Sequence, residues 1–154
     1  MRLAIGMISL AVVALASPVT QGAAKRSDAV VKATVKAGKI DNLGNQTVIV
    51  RLDIEKKWHV YANPVPADFP GIPTTITLAG TKESSVKVEY PRGKLVTDKF
   101  VGDYRVYEGQ TEIPVTIRRQ RGDKTPVVLQ VKFQACSDRQ CLLPVVVKLE
   151  VPAR

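Results

Sequence analysis

Two cysteines are the residues of this sequence with the clearest capacity for chemistry. Cys136 and Cys141 are the only cysteines among 154 residues, and they lie five positions apart. Such a pair can form a structural disulfide, or it can exchange that disulfide with other thiols through an attacking thiolate. The pair by itself leaves both functions open.

The residues around the cysteines predict a β-hairpin. Apolar residues alternate with polar ones over 127–135 and again over 145–151, which is typical of half-buried strands. Two cysteines this close on a hairpin can reach the Cα separation of about 5.5 Å that a disulfide needs. If Phe133 and Ala135 point into a core, Cys136 should point outward. Pro144 disturbs the same count for Cys141, whose direction stays undecided.

Because the loop between the cysteines is short, this disulfide would add little to the stability of the fold. Cross-linking about six residues removes roughly 2 kcal/mol of unfolded-state entropy, whereas a loop of fifty or more residues gives about 4 kcal/mol. A domain of about 130 residues has a sufficient core without either contribution. The pair is better placed as an exposed bond that an incoming thiolate can attack.

The rest of the chain predicts an all-β, immunoglobulin-like antiparallel sandwich. Val48, Val50, Leu52 and Ile54 alternate with their neighbours, and no segment carries the apolar spacing of an amphipathic helix. Short strands separated by Pro and Gly turns are typical of such sandwiches. Further strands are predicted at Ala29–Ala37, Trp58–Ala62, Thr74–Ala79, Ser84–Tyr90 and Glu112–Arg118. The proline-rich connection Asn63–Pro73 is either an ordered crossover or a binding loop.

The first residues predict an export signal. Arg2 precedes an apolar run, Leu3–Ala16, and small residues follow up to Ala24. This run is shorter than the roughly 20 apolar residues of a membrane span, so we expect a cleavable signal peptide over residues 1–24 and one domain over 25–154. Cleavage after Ala16 is an alternative to cleavage after Ala24. A retained N-terminal anchor is the alternative. Export would make the protein periplasmic or secreted, where a disulfide can persist.

The composition argues against two other classes of function. The formal charge is +9, but the basic residues are spread out and often alternate with apolar ones, as solvated strand faces do. Without an aromatic-rich basic motif, we expect no nucleic-acid binding, although a basic surface favours acidic partners. Both methionines, Met1 and Met7, lie in the predicted signal, and His59 is the single histidine. We therefore expect no metal site and no cofactor.

Several segments of the sequence resemble one family when taken in order. The residues around the cysteines, Phe133–Cys136 and Cys141–Pro144, resemble the active-site hairpin of the N-terminal periplasmic domain of the thiol:disulfide interchange protein DsbD. The other matching segments are an aromatic strand at Lys57–Tyr61, a cap-loop segment at Asp98–Gly102 with Val106–Gly109, and the following strand at Ile113–Ile117. Together they cover roughly residues 29–151.

The resemblance implies an immunoglobulin-like fold and a thiol:disulfide oxidoreductase of the protein-disulfide reductase type. It makes Cys141 the attacking thiolate and Cys136 the resolving thiol. It also makes Phe100 a lid over the disulfide and Asp98 a nearby cap carboxylate. Tyr61 and His59 would line the pocket wall. Packing and turn formation are the structural alternatives for these four residues.

The resemblance also implies partners. Such domains pass electrons to thioredoxin-like periplasmic proteins. The full family members continue into a transmembrane electron carrier and a thioredoxin-like domain, whereas this sequence ends at Arg154, so we expect a separate membrane electron donor. Two alternatives stay open. One is a non-catalytic immunoglobulin-like binding module whose disulfide only shapes the hairpin, and the weaker one is a metal chaperone.

Overall fold

The computed structural model of the protein describes residues 24–80, 85–120 and 122–154. The predicted signal peptide lies outside the described residues except for Ala24. Within the described ranges, no helix is long and apolar enough to cross a membrane.

The described chain consists of short strands after one 3-10 turn, Ser27–Ala29. The strands are β1 (Val31–Ile40), β2 (Asn45–Ile54), β3 (His59–Tyr61), β4 (Thr75–Leu78), β5 (Val86–Val88), β6 (Lys94–Asp98), β7 (Gly102–Tyr107), β8 (Gln110–Arg118), β9 (Val127–Phe133), β10 (Ala135–Cys136) and β11 (Val145–Val151).

These strands form antiparallel sheets around one core, which confirms the predicted immunoglobulin-like sandwich. One sheet has the order β1-β2-β8-β5, a second has the order β11-β9-β4, and a third has the order β10-β3-β7-β6. Strand β10 follows β9 after a single residue, Gln134, so the third sheet continues from the second. The cysteine pair lies at the β10 edge of this third sheet.

The core is built from the alternating residues that the sequence singled out. Val48, Val50 and Leu52 of β2 are fully buried, and so are Leu129 and Phe133 of β9. Residues of all three sheets belong to one buried apolar cluster, as expected for sheets that pack around a single core. Burying these side chains contributes about 1.5–3 kcal/mol each, which gives the strands that carry the site a rigid base.

The structure adds strands that the periodicity did not indicate. β6 and β7 form a hairpin, and Lys94 pairs with Val106 while Asp98 pairs with Gly102. Buried and exposed residues do not alternate regularly along either strand, so neither shows the clean pattern of β2. The hairpin contains the segment that resembled a cap loop, and its tip is residues 99–101.

Candidate redox site

Cys136 and Cys141 form a disulfide across a tight hairpin. Their Cα atoms are 4.0 Å apart, and they face each other as an isolated antiparallel bridge. The residues before and after the pair make the backbone hydrogen bonds, so the cysteines occupy a non-hydrogen-bonded position, where opposing side chains lie closest. The flanking bonds run from Ser137 N–H to the Gln140 carbonyl and from Leu142 N–H to the Ala135 carbonyl, each 2.8 Å long. The predicted hairpin disulfide is confirmed.

The two cysteines differ in exposure. Cys136 is only 2% exposed, whereas Cys141 is exposed. The expectation that Cys136 points outward to solvent is therefore wrong. The Cys136 side chain lies on the face of β10 opposite to that of Ala135. It is nevertheless buried, because His59 of β3 is its neighbour on one side and Cys141 is its neighbour on the other.

A buried serine near the N-terminus holds both arms of the hairpin. The Ser27 hydroxyl accepts a hydrogen bond from Ala135 N–H (2.8 Å) and donates one to the Leu143 carbonyl (2.7 Å). Its own backbone N–H also donates to that carbonyl, at 3.0 Å. The sequence gives no sign of this buried serine, because its hydrogen-bond partners are far away along the chain. The contact fixes the base of the hairpin and leaves its tip free.

His59 lies directly across from Cys136 in the register of β10 and β3. Cross-strand partners share a face of the sheet, so the imidazole and the sulfur of Cys136 lie on the same face. The ring is partly buried, and its burial lowers the pKa of His59 below the ordinary value. The negative charges of Glu108 and Asp138 oppose this shift, and Lys94 adds to it.

An aromatic cluster continues along the same face from His59. The Tyr61 ring makes edge contacts with His59 at 5.7 Å, with Phe69 at 4.8 Å and with Tyr104 at 5.7 Å between ring centroids. Phe69 and Tyr104 also pack on each other at 4.8 Å. Burial raises the pKa of the Tyr61 phenol, so this hydroxyl stays protonated at neutral pH. The cluster gives the site an apolar floor with polar edges.

Phe69 belongs to the proline-rich connection 63–73, which is an ordered crossover. Thr74 N–H donates to the Tyr61 carbonyl at 2.9 Å, and Pro73 bridges to Tyr61. A Cβ atom at Gly71 would overlap the rings of Phe69 and Tyr61, so a glycine is needed for the loop to pass this close. Phe69 and Tyr104 are site residues that the sequence did not single out. A signal for Phe69 exists in retrospect, because it is the one aromatic residue of that loop.

Phe100 does not cover the disulfide in this structure. It lies at the tip of the β6–β7 hairpin and is 96% exposed. The structure therefore does not show the expected closed lid: the Phe100 ring is exposed at a turn whose N–H groups bond to the Asp98 side chain. Asp98 accepts hydrogen bonds from the N–H groups of Phe100 (2.7 Å) and Val101 (3.0 Å). These bonds hold the pKa of Asp98 below its ordinary value.

A groove of about 630 Å³ lies beside the disulfide hairpin. Lys94 and Glu108 form an ion pair at 3.0 Å in its wall, and Asp138 contributes the hairpin tip. The groove is lined by Ile54, Glu55, Lys56, Lys57, Trp58, His59, Lys94, Glu108, Gly109 and Asp138. Through Asp138 the groove reaches the tip of the hairpin that carries the disulfide.

The structure thus brings four of the predicted site residues together. Cys136, Cys141, His59 and Tyr61 share one face of the third sheet, while Asp98 and Phe100 belong to the separate hairpin tip. Among the described residues, no group of three or more His, Cys, Asp or Glu side chains is arranged to hold a metal ion. A disulfide between one buried and one exposed cysteine, with a histidine as cross-strand neighbour, is suited to thiol–disulfide exchange.

Comparisons with known proteins point to the same chemistry. The family model for the N-terminal domain of the thiol:disulfide interchange protein DsbD matches residues 26–152. No curated protein matches the chain in sequence.

Solved structures share the fold at low sequence identity. The reduced N-terminal domain of DsbD from Neisseria meningitidis is 16% identical, with a TM-score of 0.58; the match covers 84% of this chain and 90% of that one. The N-terminal periplasmic domain of ScsB from Proteus mirabilis is 12% identical, with a TM-score of 0.58, over 80% of this chain and 46% of that one.

Proposed function

The chain belongs to the family of DsbD N-terminal domains, which are thiol–disulfide exchange domains, and we propose that Cys141 is the sulfur with which its partner proteins react. Cys136 is then the resolving thiol. The observation that supports these roles is the contrast between the buried Cys136 and the exposed Cys141. Exchange requires a sulfur that another protein's sulfur can approach in line with the disulfide.

The reaction in the reducing direction has two balanced steps. The Cys141 thiolate attacks a partner's disulfide, so a bond between Cys141 and the partner forms, and the partner's other sulfur leaves as a thiolate. Cys136, as its thiolate, then attacks the Cys141 sulfur and releases the partner's second thiolate. Two electrons pass to the partner, and the Cys136–Cys141 disulfide is left behind. Electron supply to the domain runs through the same steps in reverse.

The partners are proposed from the family and from the surface beside the disulfide. We expect thioredoxin-like periplasmic proteins as acceptors and a separate membrane protein as the electron donor. The aromatic cluster of Tyr61, Phe69 and Tyr104 offers apolar contact area, and the groove along Lys94 and Glu108 offers charged contacts of both signs. Export to the periplasm through the predicted signal is part of this proposal.

The test is the capture of mixed disulfides by single-cysteine variants. Cys136→Ser leaves Cys141 as an unresolved nucleophile and should accumulate a mixed disulfide with an oxidised thioredoxin, visible on a non-reducing gel. Cys141→Ser is the matched control and should accumulate little, since its remaining sulfur is buried. Equal trapping by the two variants, or trapping by Cys141→Ser alone, would refute the assigned roles.

A second measurement separates exchange from the binding-module alternative. In a glutathione redox titration read by alkylation, an exchanging pair should have a potential above the roughly −300 mV below which structural disulfides usually lie. A binding module would keep its partner affinity after both cysteines are replaced by alanine. A more negative potential combined with intact function of the double variant would overturn the proposed exchange.

A further inference from the structure

Exchange by this domain requires a buried thiol to lose its proton. In the proposed mechanism Cys136 attacks the Cys141 sulfur, and only the thiolate is a nucleophile. Cys136 is 2% exposed, so bulk water has little access to its sulfur. Burial in general disfavours the charged form of a thiol. A proton acceptor close to Cys136 would remove this obstacle.

His59 is placed to be that acceptor. It is the direct cross-strand partner of Cys136, and Cβ atoms of such partners lie about 4.5–5.5 Å apart on the same face. Within the described part of the chain, the imidazole nitrogens make no hydrogen bond, and the ring's aromatic contact is with Tyr61. A nitrogen lone pair is therefore available to a neighbouring thiol.

The charged groups around His59 leave it neutral near pH 7. Glu108 after β7 and Asp138 at the hairpin tip raise its pKa, while Lys94 of β6 lowers it and burial lowers it most. Lys57, Lys56 and Glu55 of the preceding turn line the same groove, and burial raises the pKa of the Tyr61 phenol on the same face, so this hydroxyl carries no charge. A neutral imidazole is the form that can accept a proton.

We propose that His59 is the proton acceptor for Cys136 during resolution and the proton donor to it in the reverse reaction. This inference rests on the proposed roles of the two cysteines. The proton moves from Cys136 Sγ to an imidazole nitrogen as the sulfur attacks Cys141, and the Cys141–partner bond breaks. The imidazolium then gives its proton to the departing thiolate or to water. In reverse, a thiolate attacks Cys141, and Cys136 leaves with the proton of the imidazolium.

The test is a stopped-flow reaction of the reduced domain with the aromatic disulfide DTNB, which releases a coloured thiolate in each step. The first release reports attack by Cys141, and the second reports resolution by Cys136. His59→Gln should leave the first rate within about twofold and slow the second about a hundredfold near pH 6.5, at the low end of general-base effects. The second rate of the natural protein should level off above the pKa of His59, whereas that of His59→Gln should keep rising with pH.

Control variants separate this inference from the proposed function. Cys136→Ser should lose the second release and keep the first, and Cys141→Ser should lose the fast first release. If those two variants fail to behave in this way, the cysteine roles fail, whatever His59 does. If they behave as expected but His59→Gln shows the natural second rate and pH profile, only the role of His59 is overturned.

A second variant keeps the test decisive if His59→Gln folds poorly. Lys94→Gln retains the imidazole but removes a cation that lowers the pKa of His59. It should therefore move the pH midpoint of the second release upward, as a shifted general base does. An unmoved midpoint in a folded Lys94→Gln domain would also overturn the proposal.

Discussion

Cys136 and Cys141 share one disulfide but lie in different environments, with Cys136 2% exposed and Cys141 open to solvent. The difference arises from the sheet. Cys136 pairs with His59 of β3, while Cys141 belongs to the returning arm of the hairpin at the outer edge. This disulfide therefore has a polarity, by which we mean that an attacking sulfur can reach Cys141 but not Cys136.

This polarity predicts unequal alkylation of the reduced domain. Iodoacetamide should label Cys141 at least about tenfold faster than Cys136, because reactivity follows access to the thiolate. Mass spectrometry of peptides quenched at short times measures the two rates in one sample. Denatured protein is the control, and there the two cysteines should react at similar rates. Equal rates in the folded domain would contradict the polarity.

The exposed ring of Phe100 predicts a role in partner contact. Phe100→Ala should leave the DTNB rates within about twofold and the free energy of unfolding within about 0.5 kcal/mol, as exposed side chains do. It should slow exchange with an oxidised thioredoxin, since aromatic side chains contribute strongly to protein interfaces. Leu43→Ala at the distant β1–β2 turn is a matched control, because Leu43 is also exposed. A lid would behave differently, since its removal would accelerate the reaction with DTNB.

The sequence predicted the parts of the fold where burial has a strict period of two. Leu129, Val131 and Phe133 of β9 are buried as expected, and so are the alternate residues of β2. The alternation of apolar and polar residues did not predict the β6–β7 hairpin, because the adjacent residues Val106 and Tyr107 are both buried. One covers the site face and the other the core face, so no alternation was available to detect.

The sequence predicted which residues form the site, but it did not predict how buried each of them is or what each of them contacts. The short cysteine spacing indicated the hairpin, whereas the burial of Cys136 depends on its pairing with His59, far away in the sequence. The contact of Ser27 with both hairpin arms depends on a similar long-range approach. The resemblance located Phe100 in a cap segment, but it could not specify where the ring lies.

The hydrogen bonds of Asp98 predict that acid destabilises the tip of the β6–β7 hairpin. Its pKa is held below the ordinary value by the N–H groups of Phe100 and Val101. These bonds therefore stabilise the folded tip above the ordinary carboxyl pKa of about 3.9, and their contribution is lost as pH falls through the depressed value. The amide signals of Phe100 and Val101 should titrate together in NMR spectra, with a midpoint below about 3.9.

Asp98→Asn is the matched control for that titration, because it keeps an acceptor oxygen and loses the charge. The two amide signals should then show no midpoint in the acid range. A midpoint at or above the ordinary carboxyl value in the natural protein would mean that the tip does not hold Asp98 in solution as it does in the structure.

The disulfide should stabilise the domain only modestly. Reducing it reopens a loop with a sequence separation of 5, so we expect a loss of about 2 kcal/mol or less. Urea unfolding with and without reductant measures this difference. Phe133→Ala provides the scale, since removing this fully buried ring should cost about 3–5 kcal/mol. A larger loss on reduction than in Phe133→Ala would favour the structural staple over the redox centre.

Substituting Arg119 should lower the stability of the domain without changing its rate of thiol–disulfide exchange. This buried guanidinium donates to the Gln46 side chain at 2.7 Å and to the carbonyls of Thr125 and Val151 at 2.7 and 3.1 Å. Arg119→Met would leave these acceptors unpaired, and we expect a loss of about 3 kcal/mol in the free energy of unfolding.

The exchange rate should not follow that loss. Gln46 lies at the start of β2, and the turn to His59 follows the end of this ten-residue strand, about 30 Å away at the usual rise per residue. The first DTNB release of folded Arg119→Met should stay within about twofold of the natural rate, since the effects of substitutions this far from a site are usually independent of it. Lys87→Met, which removes an exposed ion pair with Glu89, should change neither stability nor rate. A slowed release in Arg119→Met at temperatures where the domain is folded would show that the far end of the sandwich positions the cysteines.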